Sequence, residues 1–119
     1  MSRTIDELLT ETLVHFDAAT EYAQVTDRDR RMILDAMSMR LFAGLETLTR
    51  LPDDVADRLF PGVWPDMRGL LHRIAHGYGA ISLTRVRETV TGDLPGAIAT
   101  IRLELEQSAH SPQGIEEQP

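Results

Sequence analysis

Apolar residues recur at three- and four-residue steps from near the start of the chain. Ile5, Leu8, Leu9, Leu13, Phe16, Ala19 and Ala23 fall on one side of a helix. Thr4 and Glu7 stand at capping-box spacing, where hydroxyl and carboxylate take up the free amides of a helix start. A break near Gln24 and Val25 leads to a second helix, opened around Thr26 and Asp29 and running to about Arg50. Its main stripe is Ile33, Met37, Leu41, Leu45 and Leu48. Met32, Ala36, Met39 and Ala43 form a second apolar line on this helix, which suits either a central helix or a subunit interface. Asp35 lies inside that run and needs a polar partner if it is buried.

Leu51-Pro52 closes the second helix, and the stretch from Asp53 to Phe60 allows a short further turn. After the loop signal Pro61-Gly62, Trp64-Pro65 starts a third helix with proline in the first turn, where its missing amide costs nothing. Gly77 and Gly79 end it. Ser82 caps a fourth helix that stops near Gly92, and Asp93-Leu94-Pro95 opens a fifth with Ala97, Ile98, Ile101 and Leu105 on its apolar side. No strand-like alternation and no repeat is present. The pattern predicts an all-α, up-and-down bundle of four to five helices over residues 1–107, followed by a polar, aperiodic tail over 108–119.

The 119 residues suffice for one domain with a single core, and 42% hydrophobic with 26% charged residues is ordinary for a soluble globular protein. Cysteine is absent, so disulfides, thiolate catalysis and thiolate zinc sites are excluded. The N-terminus shows no apolar signal region and no apolar run is long enough for a membrane span, so the expected location is the cytoplasm. All twelve basic residues are arginine, a choice that codon bias explains as well as phosphate recognition does.

Charge singles out one segment. Residues 67–87 carry Arg68, Arg73, Arg85 and Arg87 with His72, His76 and Tyr78, and no carboxylate. The rest of the chain sets eight arginines against all nineteen acidic residues within a net charge of −7. An anionic ligand, RNA above all, has this one place to sit on a protomer. At about 100° per residue, Arg68, His72 and His76 share one face of the third helix and Arg73 flanks it. Met67, Leu70, Leu71, Ile74 and Tyr78 line the core side. Three readings fit the two histidines. They suit a metal pair, although no third ligand is near and the arginines repel a cation. They suit a solvated face with one imidazole on the helix terminus. They also suit acid–base chemistry on a phosphodiester, with arginine stabilising the phosphorane. RNA supplies its own nucleophile, the 2′-hydroxyl, so neither metal nor other cofactor is expected. Trp64 reads as a core anchor rather than a base-stacking platform. His15 reads as a solvated or interface residue, His110 as part of the tail, and Arg28, Arg30 and Arg31 as self-compensated by Asp27 and Asp29.

The segment from Gly69 to Tyr78, with Ile81, Thr89-Val90-Thr91 and Asp93-Leu94-Pro95 at matching distances, resembles the HepT-like branch of the HEPN superfamily. The likeness extends to Trp64-Pro65 and, more weakly, to Asp35-Ala36-Met37 and Met39-Arg40-Leu41, covering most of residues 1–105. It implies a helical bundle that forms a homodimer with active sites facing a cleft between protomers. It further implies a toxin ribonuclease that cuts RNA without metal, paired with a nucleotidyltransferase antitoxin that adenylylates the motif tyrosine, here Tyr78. The family pattern places arginine five residues before the histidine of His-x-Tyr. His76 and Tyr78 match, the arginine position is Leu71, and His72 follows it. Either His72 with Arg73 or Arg68 rebuilds the site around His76, or the chain keeps fold and partner and binds nucleotide or protein without cleaving. In the first case His76 and His72 are the acid–base groups, supported by Arg73 and Arg68, with Arg68, Arg73, Arg85 and Arg87 holding substrate. His72 of one subunit would then pair with His76 of the other.

Overall fold

A computed structural model describes residues 3–77 and 82–110. The described residues form helices α1 (Ile5–Ala23), α2 (Arg30–Leu48), α3 (Asp53–Leu59), α4 (Trp64–Gly77), α5 (Leu83–Glu88) and α6 (Leu94–His110), with no strand among them. The predicted all-α bundle is what the chain adopts. None of these helices is long and apolar enough to cross a membrane.

Local chemistry sets the helix starts. Thr4 and Glu7 make the reciprocal capping box, the Thr4 hydroxyl accepting from the Glu7 amide at 3.0 Å and the Glu7 carboxylate accepting from the Thr4 amide at 2.9 Å. On α2 the cap is Asp29, whose carboxylate accepts from the amides of Arg31 and Met32. Thr26 lies outside the helix, because a carboxylate directly before the first turn can take two amides. Between α3 and α4 the chain reverses at Gly62, whose φ of 75° is open to glycine and strained for side-chain-bearing residues. Phe60 and Trp64 then stack with ring centroids 6.3 Å apart, and Trp64 is buried, so it anchors α4 and is not offered to a base.

α2 is the organising helix: it packs along α1 and also touches α4 and α5, while α6 closes over α1. The predicted main stripe Ile33, Met37, Leu41, Leu45 and Leu48 is buried throughout, facing Leu8, Leu9, Phe16 and Ala19 of α1. Gly44 brings the two helices together, since a Cβ there would run into the Phe16 ring. Gly44→Ala is therefore expected to destabilise. Overpacking costs about 1–3 kcal/mol, against a gain of about 1 kcal/mol in helix propensity. The urea midpoint checks this, and a raised midpoint would show that the ring has room to move. The second stripe of α2 behaves differently from a central helix: Met32 and Met39 are well exposed, and Asp35 is exposed as well.

Gly92 does not end a helix. α5 runs through a wider π-helical turn, Thr89–Asp93, straight into α6, keeping Val90 and Leu94 in the core. The Thr89 and Thr91 hydroxyls donate to the carbonyls of Arg85 and Arg87 at 3.2 and 2.8 Å, as side chains do where a helix bends. Glycine and proline signals therefore overstated the break. α6 continues to His110, beyond the expected boundary at 107, and Ser108 is tied to Asp6 at 2.7 Å.

Candidate functional site

The end of α4 and the start of α5 border a cavity of about 470 Å³, within the usual range for small-molecule sites of roughly 300–1,000 Å³. Leu41, Leu70, Ile74 and Val86 form its apolar side, while His72, Arg73, His76, Arg85 and Thr89 supply its polar groups. Among the described residues, no carboxylate lines it. Ile74 is buried and Met67, Leu70 and Leu71 are partly buried against the core, which turns the opposite face with its histidines outward, as the periodicity predicts.

The two imidazoles lie against each other, ring centroids 4.3 Å apart at an interplanar angle of 26°. His76 Nδ1 is 3.1 Å from the His72 carbonyl oxygen. A carbonyl only accepts, so Nδ1 carries the proton and donates it. In the neutral ring this leaves the lone pair on Nε2, the form a general base requires.

The arginines divide sharply. Arg50, Arg58 and Arg102 are paired with Glu46, Glu104 and Asp17, and Arg28 with Asp27. Arg3 is hydrogen-bonded to Glu11, which holds that carboxyl below its ordinary value. Arg40 donates to His15 Nδ1 at 3.0 Å, making His15 part of a polar bridge between α1 and α2. By contrast, the guanidinium groups of Arg73 and Arg85 have no ion pair or hydrogen bond among the described residues, and both border the cavity. Their charge is left for a ligand.

The other expected residues fall elsewhere. Arg68 is exposed but does not line the cavity. Arg87 is half-buried and caps the end of α1, Nε donating to the Ala23 carbonyl at 3.2 Å and Nη2 to the Val25 carbonyl at 3.3 Å. Arg87→Ala should lower stability by about 1–3 kcal/mol, the range for charged hydrogen bonds, measurable as a lower melting temperature. An unchanged melting temperature would mean that the two carbonyls find water at no cost. Leu71 packs against the core, and the arginines that line the cavity are Arg73 and Arg85. Tyr78 lies outside the described residues. Sequence reasoning missed Ser82 and Thr89 as cavity residues. Ser82 was legible as a helix cap, and its hydroxyl accepts from the Arg85 amide at 3.1 Å. Thr89 comes one residue after the end of α5, at the start of the π-helical turn.

The family model described as ribonuclease HepT-like matches residues 6–103, spanning every helix that builds the cavity. The chain belongs to the ribonuclease HepT-like family. No curated protein and no solved structure matches the chain. Membership in this family brings RNA as the substrate class, and a cavity lined by arginine and histidine, with no carboxylate among the described residues, is electrostatically suited to it.

Proposed function

We propose that this HepT-like protein is a toxin-type endoribonuclease that cleaves RNA without a metal ion, using His76 and His72 as acid–base groups. The observation that carries the reading is the orientation of His76. Its Nδ1–H is held by the His72 carbonyl, and the ring lines the same cavity as the unpaired Arg73 and Arg85. His76 Nε2 takes the proton of a ribose 2′-hydroxyl, the 2′-oxygen attacks phosphorus, and the bond to the 5′-oxygen breaks. That oxygen takes a proton from a second imidazole. Arg73 and Arg85 stabilise the charge gathering on the phosphorane. The His72 and His76 rings of one chain are stacked on one side, whereas in-line displacement needs base and acid on opposite sides of the phosphate. His72 of a second copy meets that need in a homodimer.

Products with 2′,3′-cyclic phosphate and 5′-hydroxyl ends, formed from single-stranded RNA in excess EDTA, are the expected result. Cleavage that requires added Mg²⁺, or that leaves 3′-hydroxyl ends, would overturn the mechanism. A second reading, a binding module without turnover, draws on Leu71, which is partly buried against the core and stands where the resemblance would place an arginine. Intact RNA at high protein concentration would favour it. The antitoxin partner is a nucleotidyltransferase, and its action should appear as adenylylation of Tyr78 by mass spectrometry after co-expression. An unmodified Tyr78 beside an active transferase counts against that pairing.

A further inference from the structure

A second cavity, of about 400 Å³, lies between α2 and α4, walled by Asp35, Ser38, Met39, Phe42, Ile74 and Ala75. Ile74 is common to both cavities, so the two are neighbours across one turn of α4. Ser38 is only 1% exposed and its hydroxyl has no hydrogen-bond partner among the described residues, although a helical serine can return to the carbonyl one turn earlier. Buried polar groups are rarely left unpaired, and this one borders a cavity rather than close-packed core. Asp35 precedes it by three residues and so shares its face of α2.

We propose that this cavity is a guanine-selective base subsite for the RNA whose phosphate occupies the His72–His76 cavity. The inference rests on the ribonuclease reading and assigns its base preference. On its Watson–Crick edge guanine presents an acceptor, O6, followed by two adjacent donors, N1–H and the 2-amino group. A hydroxyl donor beside a carboxylate is the complement of that order. Adenine, cytosine and uracil each offer a single donor position there, and none offers two side by side. A carboxylate has about four acceptor sites, so Asp35 can take both base donors beside any protein partner. Phe42 and Ile74 give the apolar walls that an unstacked base requires. Met39 also lines the cavity; unbranched and 64% exposed, it is free to change rotamer and let the base reach the Ser38 hydroxyl.

The test has two readouts on the full chain. In the first, guanosine, inosine and adenosine 3′-monophosphates are titrated while the Met39 methyl resonance is followed by NMR. Guanosine 3′-monophosphate should shift it, inosine 3′-monophosphate, lacking the 2-amino donor, should bind about tenfold more weakly, and adenosine 3′-monophosphate should bind more weakly still. Asp35→Asn and Ser38→Ala should each remove the discrimination. In the second, RNAs differing only in the base beside one scissile phosphate should be cut fastest at guanosine, with the preference flattened in both variants. Guanosine binding without cleavage upholds the subsite and rejects the ribonuclease. Cleavage without base preference, with Met39 unmoved by nucleotide, overturns the subsite and leaves the ribonuclease standing. A Met39 resonance that changes on dilution and ignores nucleotide overturns it too, because a second copy then covers this face.

Discussion

Replacing His76 with alanine is expected to slow RNA cleavage by roughly 10²–10⁴-fold, the usual contribution of a positioned general acid or base, while leaving the fold intact. The ring is exposed, and its one described hydrogen bond returns to its own helix, so its loss uncovers no core. Melting temperature and helical circular dichroism should therefore stay close to wild type while turnover collapses. His72→Ala should have an effect of comparable size. On the proposed mechanism the two imidazoles act in one displacement, so the double variant should lose little more than either single one, as residues that work as a unit do. Strictly multiplicative losses would mean that the rings act independently, for instance in binding alone. Substitution of Arg73 or Arg85 should also slow turnover, and salt should weaken RNA binding steeply in the wild type as phosphate contacts are screened.

The largest stability effect is expected at Phe16. Its side chain is fully buried on α1 and lies against Gly44 of α2, at the tightest approach of the two longest helices. Phe16→Ala removes a large apolar group from a site walled by regular helices, which cannot collapse far into the space. A loss of about 3–5 kcal/mol is expected, a large share of the roughly 5–15 kcal/mol available to an ordinary domain. Chemical denaturation measures it directly. A loss under about 1 kcal/mol would mean that α1 and α2 re-pack without Gly44 fixing their separation.

Much of this fold was legible because helical periodicity is a local signal that burial enforces. The stripes of α1 and α2 and the capping box at Thr4 lie where spacing puts them. What escaped depends on contacts between elements. The close packing of Gly44 on Phe16 is invisible in either helix alone. Gly92 carries a stop signal that the burial of Val90 and Leu94 overrides. At the site, the charge island singled out one segment, and four of its polar residues, His72, Arg73, His76 and Arg85, converge on one cavity. It could not reveal that Arg87 is committed to the end of α1, a contact more than sixty residues away in sequence. The tautomer of His76 likewise follows only from where the His72 carbonyl points.

In the proposed mechanism RNA provides its own nucleophile. The most direct measurement uses an RNA strand with a single 2′-deoxyribose placed on the 5′ side of a mapped cleavage position, incubated with wild-type protein in EDTA. Cleavage at that position should vanish while neighbouring positions are still cut and binding is unchanged. Continued cutting at the deoxy position would mean that water attacks the phosphate, and the histidine mechanism built on the 2′-hydroxyl would be wrong.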